Sequence, residues 1–573
     1  MSQLEIDQTN RSSRFFSDIF GYGTLFFTLG MLGFFLILPV GMIMVKAFVG
    51  PEGFTFEYFQ LLFHNQLQIT SIYNSLLIGV AVTVLSTALS LPLAIVNARF
   101  EFPFKNFLSG LLLVPMVMPP FVGAIGIQRF FARRGSVNLT LMEWGVIDTP
   151  IDWLGPETMF WAVVVLLVLH LYPIMYLNLT AALANVDPSM EEMASTLGIS
   201  RLKQFRDIVW PLARPGFFAG AIIVFIWAVT DLGTPLLVGF HKTMPVKIFN
   251  MVTDANENPV GYALVCIVVV MTIFFFVMSK LAVKTDKYSV LSKGHVTSPV
   301  RPLPKWAFIP VYLLFIGVVL AALVPHGSII VTSLSHKWFM TPLPETYTTE
   351  HFSQIFNTDL PSIGVKNSFF FASLATIVDL FLGLFIAYVV VRKVIPFASV
   401  LDSLAMIPLA LPGIVLAFGY VVTYSNTFLD PMVNPTVLLV IAYAIRRLPF
   451  MVRSAAAGLQ QTSVALEEAS ETFGATKFHT LRKITLPLVT ANLIAGSLLT
   501  FAYAMLDVSD SLILAMKDSY YPMTKAIYAL FLEQGSGEFT ASALGVVGML
   551  ILTICILGAS TILGKKMGEL FRS

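Results

Sequence analysis

Charge and cysteine are both scarce in this sequence. Only 12% of its 573 residues are charged and 56% are apolar, whereas an ordinary soluble domain carries roughly 25% charge. These proportions argue against a soluble enzyme and exclude a disordered chain, which would be poor in apolar residues. The net charge of +2 argues against nucleic acid as a partner. Two cysteines, Cys266 and Cys555, lie in apolar runs, so neither a disulfide framework nor a cysteine metal site is expected.

A phosphate-binding loop of the Gly-x4-Gly-Lys-Ser/Thr type is also missing. The segment Gly558 to Lys566 has the wrong spacing and lacks the hydroxyl residue. We therefore expect no catalytic residue, no metal ligand and no bound cofactor in this chain. The first apolar run, Thr24 to Val45, lacks a signal-peptide cleavage pattern and is interpreted as a retained membrane helix.

Apolar runs of about 20 residues are abundant, and each is long enough to cross a bilayer as a helix. The runs lack the alternation of barrel strands. The fold class is therefore predicted to be an all-α polytopic membrane protein with about twelve transmembrane helices. Their approximate bounds are 23–46, 72–97, 106–128, 158–181, 216–240, 262–283, 306–333, 367–391, 398–424, 434–456, 489–513 and 541–564.

The distribution of Lys and Arg predicts that both termini are cytoplasmic. In that orientation 25 of the 35 Lys and Arg residues fall on the inner side. This count places Arg446 and Arg447 at the inner end of their helix, as anchoring charges. A cluster in an outer loop, Arg129, Arg133 and Arg134, is the exception to the rule.

The sequence contains an internal repeat. At an offset of 293 the pair Asn74-Ser75 matches Asn367-Ser368, and Arg99 matches Arg392. The offset then becomes 276, which predicts about 17 extra residues in an outer loop of the first half. Six helices per half make the two copies parallel, so that they can enclose a central pathway. The predicted segments are a cytoplasmic N-terminal segment (1–22), a first half (23–283), a cytoplasmic linker (284–305), a second half (306–564) and a cytoplasmic tail (565–573).

The most informative segments are two matching inner loops, at about 187–212 and 463–488. In the first, Asp187 and Pro188 are typical of a helix start. Gly198 permits a left-handed turn that ends this short helix, and Pro211 is expected to end a second one. A helix–glycine–helix hairpin suits docking into a groove on another protein. The alternative is a surface hairpin that only connects two membrane helices.

Both loops resemble the EAA loop of ABC importer permeases, in which Glu-Ala-Ala is followed after three residues by Gly and later by Ile-x-Leu-Pro. Met193, Ser470 and Trp210 depart from this pattern. The resemblance implies that these loops couple the chain to ATPase subunits. The matching residues are Glu192, Ala194, Gly198, Ile208 and Pro211 in the first copy, and Glu468, Ala469, Gly474, Ile484 and Pro487 in the second.

More narrowly, the chain is similar to fused two-half permeases of ferric-iron and 2-aminoethylphosphonate importers. The supporting stretches are Asp231–Leu237 and Lys287–Gly294. The resemblance implies a type I importer permease in a bacterial inner membrane, in contact with lipid. It also implies two copies of an ABC ATPase that bind ATP and magnesium, and an external solute-binding protein. Ferric iron, an aminophosphonate and a polyamine remain open as substrates.

Ionisable and polar residues at the ends of matching helices are candidates for a pathway or gate, because such groups in membrane helices are usually functional. These candidates are Asp231, Thr234, Asp507 and Asp510. The alternative is that the aspartates cap helices or form structural ion pairs.

Prolines in two further helices predict either broken helices that open a polar path or simple kinks. These are Pro115, Pro119, Pro408 and Pro412. Two other functions fit a twelve-helix chain. One is a carrier driven by an ion gradient, which would transport without an ATPase, and the other is a scaffolding protein, whose loss would leave uptake unchanged.

Overall fold

The computed structural model describes residues 19–252, 259–284, 301–533 and 535–563. Most of the predicted N-terminal segment, including Arg11 and Arg14, lies outside the described residues. The same is true of most of the predicted linker, with the stretch Lys287–Gly294, and of the predicted tail.

The first half is a succession of helices with short strands between some of them. The long apolar helices follow from the apolar runs, since a helix satisfies its own backbone polar groups in lipid. In chain order the helices are α1 (Ile19–Phe48), α2 (Glu57–His64), α3 (Gln66–Arg99), α4 (Lys105–Leu111), α5 (Val114–Val117), α6 (Pro120–Phe131), α7 (Ser136–Glu143), α8 (Met159–Ala184), α9 (Pro188–Thr196), α10 (Arg201–Thr230), α11 (Gly233–Val238), α12 (Met244–Asn250) and α13 (Pro259–Lys284).

The second half repeats this order, except that a 3-10 turn, Ile407–Ala410, takes the place of α5 and that no helix corresponds to α7. Its helices are α14 (Lys305–Leu334), α15 (Glu350–Asn357), α16 (Asp359–Val391), α17 (Ala398–Met406), α18 (Gly413–Tyr424), α19 (Thr436–Gln461), α20 (Val464–Thr472), α21 (Lys477–Met505), α22 (Ser509–Leu514), α23 (Met523–Leu532) and α24 (Gly537–Leu563).

Three two-stranded ribbons complete the described part of the chain. Strands β1 (Val49–Gly50) and β2 (Gly53–Phe54) pair antiparallel, as do β5 (Ser335–Lys337) and β6 (Thr346–Tyr347). These two ribbons follow α1 and α14 at matching places in the repeat. Strand β3 (Phe100–Glu101) pairs in parallel with β4 (Arg301–Pro302), which places the end of the predicted linker beside the end of α3.

Nine described helices are long and apolar enough to cross a membrane, and two bent pairs raise the number to 11 if each pair is one span. The bent pairs are Lys105–Met116 with Pro120–Glu143, and Ala398–Leu409 with Gly413–Tyr424. They lie where spans 106–128 and 398–424 are predicted. The remaining predicted span, 434–456, is present as the 26-residue helix α19, which is less apolar because it contains three arginines.

The two bent pairs turn sharply at matching prolines. The bends are 85° between Met116 and Pro120 and 93° between Leu409 and Gly413. Pro119 and Pro412 lie at these breaks, directly before α6 and α18. Proline lacks the N–H that would continue a helix, so these helices are broken at the matching prolines and not simply kinked.

The repeat is visible in individual hydrogen bonds as well as in the order of helices. Asn74 Nδ2 in α3 donates to Lys242 O at 3.0 Å, and Asn367 Nδ2 in α16 donates to Ser519 O at 2.9 Å. The next residue in each half is a serine whose hydroxyl accepts from the first backbone N–H of a short helix. Ser75 accepts from Met244 N of α12, and Ser368 accepts from Met523 N of α23. The same two side chains thus fasten the same loop in both halves.

The first helix of each half packs against the bent pair of the other half: α1 lies on α18 and α14 lies on α6. Close approach at these contacts requires glycine. A Cβ at Gly126 would overlap Ser328 Oγ and the carbonyl oxygen of Pro325, and one at Gly419 would crowd Pro39. The two halves are therefore interlocked, which hydropathy alone does not reveal.

The extra segment of the first half lies between α6 and α8, at the end of α8 that is remote from the predicted loop 187–212. It spans residues 132–158, whereas the second half has only residues 425–435 in this place, as the change of offset predicts. Asn138 in α7 is fully buried and organises the segment. Its amide donates to the carbonyl oxygens of Arg133 and Ile151 and accepts from Trp153 Nε1.

Replacing Asn138 with leucine is expected to destabilise this segment by at least about 2 kcal/mol. Leucine fills a similar volume but leaves several buried polar groups unpaired, at roughly 1–3 kcal/mol each. Limited proteolysis of the purified protein should show faster cleavage within residues 132–158. Asn357→Leu is the matched control, because Asn357 is exposed. Equal cleavage of both variants would contradict the role of Asn138.

Candidate functional site

Both predicted loops fold as a short helix, a glycine turn and the start of a long helix. We call them hairpin 1 (187–212) and hairpin 2 (463–488). Hairpin 1 begins at α9, where Asp187 Oδ1 accepts from Ser189 N at 2.9 Å. Hairpin 2 begins at α20, where Ser463 Oγ accepts from Ala465 N at 3.3 Å. The side-chain cap predicted at Asp187 is confirmed, because such a group satisfies an N–H left free by the helix.

The two glycines of the motif adopt the left-handed conformation that the sequence predicts. Gly198 has φ +73° and Gly474 has φ +88°. A Cβ at either position would have no neighbour within 4 Å, so the backbone conformation alone requires glycine here.

The prediction that Pro211 ends a helix is wrong, because α10 and α21 continue through the motif prolines. A π-helical turn, Phe205–Val209 in the first half and Leu481–Thr485 in the second, precedes each proline. In α10 this turn pairs Trp210 N–H with Phe205 O. Pro211 then falls in the first turn of the following α-helical stretch, where a missing N–H costs little.

The predicted coupling residues divide into an exposed and a packed set. Glu192, Glu468 and Ala469 are exposed, together with both glycines. Ala194 is buried, and Ile208 and Ile484 are half-buried, so that they help to hold the hairpins on the bundle. Pro211 is half-buried, whereas Pro487 is exposed.

Large apolar side chains project from both hairpins. Leu197 and its counterpart Phe473 directly precede the glycines, and Leu202 matches Phe478 in the next helix. All four are exposed, and Phe473 is 93% exposed. Large exposed apolar side chains that recur at matching positions of both hairpins indicate two like contacts.

An ion pair that the sequence analysis missed holds each hairpin to the bundle. Glu191 in α9 pairs with Arg99 at the end of α3, and Glu467 in α20 pairs with Arg392 at 2.8 Å, directly after α16. The signal was present in the sequence, because the arginines match at offset 293 and the glutamates at offset 276.

Two of the three aspartates proposed for the pathway, Asp231 and Asp507, cap short helices that fold back after the long ones. Asp231 Oδ2 accepts from Thr234 N at 2.9 Å at the start of α11. Asp507 Oδ1 accepts from Asp510 N at 3.0 Å at the start of α22. The structural alternative, a cap, therefore applies to both, and in the second half a charged cluster is added to it.

This cluster joins two arginines of α19 to the aspartates before and within α22. Arg446 Nη1 lies 2.5 Å from Asp507 Oδ2 and 2.7 Å from Asp510 Oδ2, and Arg447 Nη2 lies 2.9 Å from Asp507 Oδ2. The aspartate side chains are 2% and 0% exposed. Both arginines lie in the middle of α19 and not at its end. Their interpretation as anchoring charges at the inner end of the helix is therefore wrong.

The cluster also contacts the bend in the second half. A Cβ at Gly413, the first residue after the break at Pro412, would overlap the Arg446 guanidinium group. The charged groups, the bent pair and the folded-back helix α22 thus meet at one place. Movement of any one of these elements must disturb the other two.

Of these charged residues the first half keeps only Asp231, which matches Asp507. His170 stands where Arg446 does, and its Nδ1 lies 3.0 Å from Pro115 O. Thr234, fully buried, stands where Asp510 does. Of the four residues predicted for a gate, Asp231 contacts Thr234 in the first half and Asp507 contacts Asp510 in the second. Only Asp507 and Asp510 lie in a charged network.

At the end remote from the hairpins a cavity of about 320 Å³ lies between α6, α24 and the segment after β5. Arg129 lines it, pairs with Glu538 at 3.7 Å, and lies over the Trp338 ring at 5.1 Å. Arg133 and Arg134 are exposed. The arginine that breaks the predicted charge rule is thus held by a carboxylate and an aromatic ring.

Fold and site together define a polytopic helical membrane permease built from two parallel halves, each with a bent helix pair and one hairpin. The chain belongs to the family of binding-protein-dependent transport system inner membrane components, whose family model matches residues 90–284 and 379–569. It is therefore a permease subunit of an ABC importer, and the predicted duplication is confirmed.

Two similar proteins extend over most of the chain. The putative ferric transport system permease protein FbpB 1 of Haemophilus influenzae is 27% identical over 497 residues, which are 85% of this chain and 77% of that protein. The ferric transport system permease protein FbpB of Actinobacillus pleuropneumoniae is 26% identical over 559 residues, 96% of this chain and 79% of that protein. The chain is thus similar to permeases that contain two halves.

Shorter similarities cover one half. The spermidine/putrescine transport system permease protein PotB of Haemophilus influenzae is 25% identical over 219 residues, 37% of this chain and 76% of that protein. Among solved structures, a chain of a bacterial ABC transporter involved in the import of the acidic polysaccharide alginate is 16% identical, with a TM-score of 0.40. That match covers 48% of this chain and 99% of the other.

Proposed function

We propose that the two halves form the translocation pathway of an importer for ferric iron, driven by two copies of a separate ATPase subunit that bind ATP and magnesium. The observation that carries this proposal is the duplicated hairpin, with the same glycine turn, exposed glutamate and exposed apolar residues in both halves. Two like docking sites on one chain suit two like partners.

Each hairpin provides both kinds of contact that a stable protein interface needs. The exposed apolar residues Leu197 and Phe473 would form the buried centre of the contact. Glu192 and Glu468 would face basic groups of the ATPase and fix its orientation. Ala194, Ile208, Ile484 and Pro211 would hold the hairpins in the shape that the partner binds, whereas the exposed Ala469 and Pro487 would face the partner.

The assignment of ferric iron as substrate rests on the names of the two relatives that cover most of the chain. A solute-binding protein would deliver the substrate to the face opposite the hairpins. The hairpins and both termini would be cytoplasmic, in line with the distribution of Lys and Arg. An aminophosphonate or a polyamine is the substrate to test if iron is not taken up.

The candidate gate would be the place where α11 and α22 fold back between the halves. Asp231 and Thr234 would form it in the first half and Asp507 and Asp510 in the second. Because the charged cluster contacts the bent pair at Gly413, rocking of the halves by the ATPases would move α22 and open the path.

The proposal is tested by reconstituting the chain into liposomes with its ATPase and binding protein and measuring uptake of ferric iron. We expect uptake that requires ATP and both partners. Uptake by the chain alone along a proton or sodium gradient would support the rival carrier, and an unchanged iron uptake in a deletion strain would support a scaffold.

Replacing both Leu197 and Phe473 with aspartate is expected to abolish co-purification of the ATPase. A charge in the desolvated centre of an interface costs several kcal/mol, and the two sites act together. Phe428→Asp is the matched control, since Phe428 is 92% exposed on the face opposite the hairpins. The docking assignment is wrong if the double variant retains the ATPase as well as Phe428→Asp does.

A further inference from the structure

The ion pairs of the hairpins lie at the same place in both halves. Arg392 grips Glu467 with two nitrogens: Nη2 lies 2.8 Å from Oε1, and Nε lies 3.2 Å from Oε1 and 3.3 Å from Oε2. Arg99 Nη1 pairs with Glu191 Oε2 in the first half. The recurrence of this ion pair in both halves indicates that it has the same role in each.

The second pair is buried and connects four elements. Both side chains are only 10% exposed. Glu467 Oε1 also accepts from Thr485 Oγ1 at 3.0 Å, in the π turn that begins the long part of α21. Arg392 Nη2 also donates to Thr462 Oγ1 at 3.2 Å, directly after α19. The network therefore joins the ends of α16 and α19 to both arms of hairpin 2.

The neighbouring glutamates are placed differently. Glu192 pairs with Arg301 at 3.4 Å, but their side chains are 58% and 64% exposed. An exposed pair of this kind contributes little to stability, whereas breaking a buried pair is strongly destabilising because it leaves an uncompensated charge. Successive glutamates of each hairpin thus face in opposite directions, Glu192 and Glu468 outward and Glu191 and Glu467 toward the bundle.

We propose that the pairs Arg99–Glu191 and Arg392–Glu467 transmit movement of each hairpin to the core helices, so that Glu191 and Glu467 are positioning residues for coupling. The inference rests on the proposed function, because it presupposes an ATPase on the hairpins. The path is continuous in the second half: Arg392 directly follows α16, α16 packs along α19, and α19 carries Arg446 and Arg447 of the charged cluster.

The test compares ATP hydrolysis and uptake in the reconstituted importer that carries Glu191→Gln together with Glu467→Gln. We expect the ATPase to remain bound, because the outward surface of the hairpins is unchanged. Uptake per ATP hydrolysed should fall by roughly tenfold or more, since the carboxylate charges that bind both arginines are lost and the hairpins can move without the core. The reversed pair, Arg392→Glu with Glu467→Arg, should recover much of the ratio lost on reversing Glu467 alone.

The control is Glu101→Gln, which breaks the pair of Glu101, 61% exposed, with Lys105 beside the same end of α3 and should leave the ratio unchanged. Glu467→Asp is made in parallel, in case the glutamine variants do not fold. It keeps the charge but shortens the side chain, so an intermediate ratio of uptake to ATP hydrolysis is expected. A wild-type ratio in the glutamine or aspartate variants overturns the inference. If instead the wild-type chain binds no ATPase, it is the proposed function that fails.

Discussion

Replacing Arg446 with methionine is expected to abolish uptake and to lower the thermal stability of the purified permease. Arg446 bridges Asp507 and Asp510, and among the described residues no other cation lies within ion-pair distance of Asp510. Methionine keeps most of the length of the side chain but leaves a fully buried carboxylate without a partner. Removing one member of a buried pair costs roughly 3–5 kcal/mol, which is enough to displace α22 from the bend at Pro412.

Arg453→Met is the matched control, because Arg453 lies two turns further along the same helix. Its guanidinium is 3.7 Å from Asp402 and is 49% exposed, so its loss should change stability by no more than about 1 kcal/mol. Adding Asp510→Asn to Arg446→Met should recover part of the stability, since the uncompensated charge is then removed. Normal uptake by Arg446→Met would show that the cluster has no part in the pathway.

The parts of the fold that follow from local or periodic signals could be predicted from the sequence. Apolar runs locate the membrane helices, because every backbone polar group in lipid must be satisfied within its own helix. The repeat offsets locate the extra segment between α6 and α8. The glycine turns and the cap at Asp187 depend only on neighbouring residues, and the structure confirms them.

Contacts between distant residues could not be predicted in the same way. Counting Lys and Arg assigned Arg446 to the inner end of its helix, although its partners Asp507 and Asp510 lie 61 and 64 residues further along the chain. The apolar run on both sides of Arg446 was the missed signal, because a charge in such a run requires an opposite charge nearby. The exchange of α1 and α14 between the halves has no signature in hydropathy.

The motif pattern predicts a role for Glu192 and Glu468 but not for the preceding residues, Glu191 and Glu467. Glu191 and Glu467 also match at offset 276, and Arg99 and Arg392 match at offset 293. Oppositely charged residues that both recur at matching positions of the two halves predict a contact that is repeated in each half. The family motif identifies the exposed residues Glu192 and Glu468. The internal repeat also identifies Glu191 and Glu467, which hold the hairpins to the bundle.

Replacing Gly198 and Gly474 together with valine is expected to reduce uptake by at least about tenfold. A left-handed conformation costs an L-residue roughly 1–2 kcal/mol, and a β-branched residue more. The chain would relieve this by leaving the left-handed region, which turns α9 and α20 away from the helices that follow them. The exposed glutamates and apolar residues of each hairpin would then no longer face one partner, so that ATPase co-purification should fall in parallel with uptake.

Two glycines on the opposite face provide matched controls for this double variant. Gly145 has φ +68° and Gly535 has φ +96°, and a Cβ at either has no neighbour within 4 Å. Gly145→Val with Gly535→Val imposes the same backbone strain but should leave ATPase binding intact. Asparagine, which tolerates the left-handed region, should preserve more uptake than valine at Gly198 and Gly474. If the two valine pairs reduce uptake equally, the loss reflects general strain, and the hairpin geometry is not what the ATPase requires.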